Sequence, residues 1–174
     1  MQAGLNFLRG YNQGMITSSY IPLLFPGLAI VETSATETEL LLSVQSTAAS
    51  APCSNCDAVS KRVHSSYLRR VQDTPIGLFI VWLQIRVRRF RCDNPKCKQQ
   101  TFAEQYSELV GRRRQRTNRL LVQLLQIGLA LGGAAGARLA GKLAMTASGS
   151  TLLRLLHQME APLTKEPRVI GLDD

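Results

Sequence analysis

Hydrophobic and polar residues alternate most regularly from Phe79 to Arg91. Val81, Leu83, Ile85 and Val87 point one way and Trp82, Gln84, Arg86 and Arg88 the other, the period of two that a half-buried strand requires. One face packs and the other is basic. The phase slips at Arg88-Arg89, so that Phe90 and Cys92 share the parity of the former polar face, which predicts a bulge there. Trp82 reads as a cover for the sheet rather than a base-stacking platform. A partner strand is expected over His64 to Val71, across a turn at Asp73-Thr74-Pro75-Ile76-Gly77 whose Pro and Gly suit tight backbone angles. Two shorter strands, Leu28 to Val31 and Glu39 to Val44, flank the polar turn Thr33 to Thr38. Ser46 to Pro52 is a small-residue connector. Residues 1 to 27 show no period and read as a loosely ordered leader.

Beyond residue 110 the period becomes helical. Thr117 is placed to cap a helix whose Leu120, Leu121, Leu124, Leu125, Gly128 and Leu131 fall near one face, ended by Gly132-Gly133. Ala135 to Leu143 forms a short helix of small residues that permits close packing, Ala144 to Ala147 a tight turn, and Ser148 the cap of a third helix running to about Met159. On a wheel, Leu152, Leu153, Leu156 and Met159 face the core with Leu155 at its edge, and Ser150, Arg154, His157 and Gln158 lie opposite. Helix, turn, helix is the arrangement in which the second helix enters a major groove, where arginine and glutamine read guanine and adenine. Arg154 is the first candidate for a base contact. The competing reading of these segments is a three-helix bundle with a solvated face.

The expected fold class is α+β: a small antiparallel β domain followed by a helix-turn-helix domain. The division runs 1–27 leader, 28–110 β domain, 111–160 helix-turn-helix, and 161–174 linker and the first strand of a further domain. At 174 residues with 45% hydrophobic content the chain can build packed cores. No uninterrupted apolar run approaches the roughly 18 to 20 residues of a membrane span, Ile21 to Val31 and Leu120 to Leu131 being the longest candidates, and Met1 to Gly14 lacks the basic start and apolar stretch of a secretory signal. A soluble cytoplasmic protein with no membrane partner is expected.

The net charge of +9 is concentrated. Residues 58–119 hold fifteen basic and four acidic side chains, against one and four before them and five and four after. The basic positions fall on Arg86, Arg88, Arg89, Arg91, Lys96 and Lys98, and on the run Arg112-Arg113-Arg114-Gln115-Arg116. A localised stripe of this kind is the footprint of a polyanion binder; double-stranded DNA is the partner expected, with these arginines on phosphates.

Four cysteines form two close pairs, C-S-N-C at Cys53 and Cys56 and C-D-N-P-K-C at Cys92 and Cys97. Each pair can place two thiolates on one tetrahedral ion, and the intervening hairpin brings the pairs together. Sulfur at all four positions leaves no site for water, so one structural zinc per chain is expected, which makes the small antiparallel β domain a zinc ribbon. Two disulfides, disfavoured in a reducing compartment, and four unrelated buried thiols are the alternatives.

The string C-x2-C, then H-S-S-Y-L-R-R-V-Q-D-T-P-I-G, V-R-R-F-R-C, C-x4-C and T-F-A-E resembles the zinc-ribbon opening of bacterial insertion-sequence transposases of the ISL-three type, over about residues 25 to 174. The resemblance implies that G-A-R-L-A-G-K-L-A-M-T-A-S-G-S-T-L-L-R-L-L is the helix-turn-helix and that V-I-G-L-D-D is similar to the first strand of a ribonuclease-H-like catalytic domain. Asp173 would then be the first catalytic acid of a site using magnesium. Two-metal chemistry needs several carboxylates from separated segments, so this chain alone is expected to be no enzyme, but the DNA-recognition part of a transposase directed at transposon-end inverted repeats in the bacterial nucleoid. A truncated transposase acting as a repressor, or a zinc-stabilised domain binding RNA or protein, are the alternatives. A second copy of the chain or an intact transposase is a further candidate partner.

Overall fold

The computed structural model describes residues 25–159; the leader before Phe25, and Asp173 with the strand expected around it, lie outside the described residues. The described chain has seven strands, β1 (Leu28–Ala35), β2 (Glu39–Ser46), β3 (Ala51–Pro52), β4 (Val59–Ser60), β5 (Val63–Ile76), β6 (Phe79–Arg91) and β7 (Thr101–Ala103), then α1 (Asn118–Lys142) and α2 (Gly149–His157). This is a β-then-α architecture of the α+β class.

The main sheet has the order β1-β2-β6-β5, with β7 pairing β6 at its far end; β3 and β4 form a separate two-stranded ribbon. The expectation of a purely antiparallel sheet is corrected here. β2 runs parallel to β6, Leu42 opposite Leu83 and Val44 opposite Ile85, on the side of β6 away from β5. β1 is longer than the pattern indicated. Its last five residues are all exposed, so neither face is packed there and the sequence lacks the alternation that one buried face would impose. β5 likewise continues through Asp73 to Ile76, with an irregularity between Asp73 and Ile76, so the reversal falls at Gly77, whose φ of 59° is the left-handed conformation glycine tolerates.

The core face of the sheet is Val81, Leu83, Ile85 and Val87 against Leu42, Val44, Val71 and Leu28. Phe25 joins them at 4% exposure, which corrects its assignment to a loose leader. The parity slip in β6 is real, but its cause is not a bulge in that strand. Beyond Val87 the opposite face becomes covered: Phe90 is buried against Phe102, Ala51 and the cysteines. The irregularity lies in β5, between Val63 and Ser65, opposite Phe90 and Arg89.

Both helix caps form as the sequence indicates. The Thr117 side chain accepts from the Leu120 backbone N–H, and the Ser148 side chain from that of Thr151. α1 breaks at Gly132 (φ 69°, ψ −160°), dividing it at the expected Gly-Gly. By length and composition the combined helix could cross a membrane, unlike the shorter runs read from the sequence; its Leu120, Leu124 and Ala140 pack with Leu152 and Met145 in a helical core. Small residues let the helices meet. A Cβ on Gly136 would lie 2.8 Å from Leu152 Cδ1, and Gly133 and Gly149 approach backbone to backbone. The wheel for α2 is corrected in part: Leu152 is fully buried and Leu155 packs on the core, whereas Leu153 and Met159 are exposed. A nine-residue helix resting on one neighbour buries a stripe narrower than the wheel assumes.

Candidate metal centre and nucleic-acid interface

The two cysteine pairs are carried by turns at the ends of the strands. After β3, Cys53 N–H donates to Ala58 O at 3.0 Å and Asp57 N–H returns to Cys53 O at 2.9 Å, with Asp57 at φ 56°. After β6, Cys92 N–H donates to Gln100 O at 2.9 Å, and Asn94 organises the second turn through its carbonyl to Cys97 N–H and its side chain to Lys96 N–H. Phe90 and Phe102, rings stacked at 5.8 Å, form the floor on which both turns rest. It is a small floor.

All four Sγ atoms lie within 4.8 Å of one another, with Cys56–Cys92 at 3.6 Å and Cys53–Cys97 at 4.0 Å. Tetrahedral zinc at a Zn–S length of about 2.3 Å sets its sulfurs about 3.8 Å apart, whereas a disulfide needs about 2.05 Å. The four thiols are unpaired and the arrangement fits a tetrathiolate ion. Asn55 Nδ2–H donates to Cys97 Sγ at 3.3 Å and Gln99 N–H at 3.4 Å; these donors hold the Cys97 thiol down to about 7, favouring the thiolate a metal requires. Among the described residues this is the one group of three or more His, Cys, Asp or Glu side chains within reach of a single ion.

The arginines expected on DNA separate into different environments. Strand parity places Arg86 and Arg88 on one face of β6 and Arg89 and Arg91 on the other. Arg86, Arg89 and Arg91 are exposed, Arg89 reaching Thr101 Oγ1 at 3.2 Å. Arg88 is no solvent-facing cation, which corrects its place in the basic face. It grips Glu104, a residue 6% exposed, through Nε and Nη2, and its own backbone N–H donates to the same carboxylate at 2.8 Å. That hydrogen-bonded carboxylate raises the Arg88 pKa.

Arg112, Arg113 and Arg114 are exposed on a turn closed by Arg114 N–H to Gly111 O. Arg69 pins that turn from the sheet, Nη2 donating to Gly111 O at 2.8 Å and Arg114 O at 2.5 Å. Arg116 differs from the rest of the run: half-buried, it donates to Thr146 O at 2.7 Å. On α2, Arg154, His157 and Gln158 are exposed, and Ser150 Oγ shares a 2.9 Å hydrogen bond with the cap Ser148. The second helix thus presents a polar row with one arginine at i, i+4 and i+3 spacing.

Residues 49–101 match the family model of the zinc finger of transposases IS204/IS1001/IS1096/IS1165, the ISL3 zinc ribbon. That segment, about a third of the chain, is similar to the ISL3-type zinc ribbon. No curated protein and no solved structure matches it. The matched segment begins just before β3 and ends at the start of β7, so the similarity takes in the cysteine turns and the β5–β6 hairpin and stops short of the helix pair.

Three residues that tie the fold together carry no signal in the sequence. Asp73, expected in a turn, is 1% exposed and accepts from Thr117 Oγ1 at 2.7 Å and Arg119 Nε at 2.7 Å, while Arg119 also lies over the Phe25 ring. Glu104 stands out in no pattern, and Arg69 is one cation among many. A buried charge surrounded by donors leaves no periodic trace; the only hint is an acid inside a strongly basic segment. Trp82 does cover the sheet, its Nε1–H donating to Glu39 at 3.1 Å beneath the Arg70 guanidinium.

Proposed function

We propose that this chain is the DNA-recognition part of a transposase and that it binds transposon-end inverted repeats. The observation that carries the reading is the exposed row Ser150, Arg154, His157 and Gln158 on the second helix of a helix-turn-helix, in a chain whose preceding segment is an ISL3-type zinc ribbon. In this reading α2 enters the major groove with Arg154 on a base edge, and Arg112, Arg113 and Arg114 hold phosphates beside it. The ribbon, closed by one zinc on Cys53, Cys56, Cys92 and Cys97, is a rigid support for that turn; Arg86, Arg89 and Arg91 add sequence-independent attraction. Strand transfer, with magnesium, belongs to a ribonuclease-H-like domain in which Asp173 is the first acid. The setting is the bacterial nucleoid, with a second copy or an intact transposase sharing the ends.

Fluorescence anisotropy with duplexes taken from the two ends of the encoding element tests this. The zinc-loaded chain should prefer an end duplex over a scrambled one of equal length by at least about a thousandfold, the ordinary margin of specific over non-specific binding. Equal affinity for both would sink end recognition. Tighter binding to single-stranded RNA would transfer the basic surface to a different partner.

A further inference from the structure

Where β5 meets the turn ahead of α2, a cleft of about 390 Å³ is lined by Arg70, Gln72, Trp82, Gln115, Arg116 and Thr146. Its polar atoms are unequally satisfied. Gln72, 1% exposed, accepts the Thr146 hydroxyl on Oε1 at 2.6 Å, and its Nε2 has no partner. Arg116 spends Nη2 on Thr146 O, and its buried Nε is also without a partner. Both orphans are donors, and native structures rarely leave buried donors unmet.

The charges point the same way. Arg70 lies 4.3 Å from the Trp82 ring centroid and is met by Glu39 at 3.2 Å. Arg116 has no carboxylate within ion-pair distance among the described residues. Burial first, then the neighbouring Arg154 charge, lower its pKa. An anion in the cleft would meet both orphan donors and separate two like charges.

We propose that this cleft is a phosphate site that takes one backbone phosphate of duplex DNA, with Gln72 Nε2 and Arg116 Nε as hydrogen-bond donors and Arg70 as a second cation. The inference rests on the DNA-recognition reading above and gives it a fixed point. Thr146 stands two residues before the Ser148 cap, and Arg154 lies close enough to Arg116 to oppose its charge. A phosphate held here sets the register of the duplex against α2, and Arg154 reads within that register.

Trp82 is the only tryptophan of the chain and lines the cleft, so its emission reports occupancy. Titrating the zinc-loaded chain with a short random-sequence duplex should shift that emission. Gln72→Glu keeps an oxygen for the Thr146 hydroxyl but turns the facing donor into a negative charge. It should abolish the shift and weaken the duplex about tenfold, while Arg116→Gln should lower the slope of log K against log salt by about 0.9, the value for one phosphate. If Gln72→Glu melts early, Arg116→Gln and the wild-type emission decide. An unchanged slope for Arg116→Gln, or a silent Trp82 while duplex binds, overturns the phosphate site and leaves DNA recognition standing. A wild-type chain that binds no duplex at low salt removes the DNA-recognition reading and this inference with it.

Discussion

The Thr117 hydroxyl donates a 2.7 Å hydrogen bond to Asp73 Oδ1, fastening the residue that caps α1 to the end of β5. Thr117 is fully buried and its own backbone N–H donates to Gln72 O at 2.9 Å. Val110, from the connecting loop, packs into the sheet core on the same side. The helix pair therefore starts from a fixed point on the ribbon, and its polar row has a defined position relative to the Arg112–Arg114 turn.

Asp73→Ala should cost about 3 to 5 kcal/mol, because it strips a buried acceptor from Thr117 and leaves the Arg119 guanidinium without that carboxylate. Thr117→Ala, which removes only the cap and one hydrogen bond, should cost about 1 to 2 kcal/mol. Urea unfolding followed by circular dichroism for the helices and Trp82 emission for the sheet measures both. Transitions that stay coincident with unchanged midpoints in Asp73→Ala would show that the tie contributes nothing.

Arg88 and Arg86 neighbour one another on one face of β6 and should behave oppositely. Arg88→Ala leaves Glu104 buried and unpaired and should destabilise by about 3 to 5 kcal/mol, whereas Arg86→Ala should change melting by less than about 0.5 kcal/mol. The double change Arg88→Met with Glu104→Leu should recover most of the loss. Similar melting for the two single variants contradicts this assignment.

Metal analysis should return one zinc per chain, and a chelator should collapse the ribbon while most helical signal persists, since binding energy here is folding energy. Affinity should fall as pH falls, because protons compete for the thiolates. Four thiols that resist alkylation until reduced, with no metal present, would instead mean disulfides.

Two glycines of α1 should respond to alanine with opposite sign. Gly141 has no neighbouring heavy atom within 4 Å of the position a Cβ would take, so Gly141→Ala should gain about 0.5 to 1 kcal/mol of helix propensity. Gly136→Ala has the same propensity gain but sets its Cβ 2.8 Å from the fully buried Leu152, and overpacking of about 1 to 3 kcal/mol outweighs it. Thermal melting of the two variants settles the order.

Arg154→Ala should lose about 1 to 3 kcal/mol on an end duplex and much less on random DNA. Replacing Arg112, Arg113 and Arg114 together should weaken all duplexes alike and lower the salt slope by close to one unit per lost phosphate contact. Leu152→Ala should cost about 2 to 5 kcal/mol, and Leu153→Ala far less because its side chain is exposed. Equal losses on end and random duplexes for Arg154→Ala would reduce it to a phosphate contact.

The sequence by itself determined the elements whose cause is local. Cysteine spacing announced a four-sulfur site because two thiols so few positions apart must share a turn. The period of two in β6, the Thr117 and Ser148 caps and the Gly132 break depend on residues within a few positions of each other. Tertiary structure decided what depends on distant partners. β2 became parallel to β6 because of the path the intervening chain takes, and Phe90 became core because the cysteine turns fold over the face that Arg86 leaves open. The arginines looked equivalent in the sequence, since a charge carries no mark of its neighbours. Glu104 made Arg88 a structural residue, Thr146 drew Arg116 into a cleft, and Arg154 was left at the surface, each outcome set by which carboxylate or carbonyl the fold brought within about 3 Å.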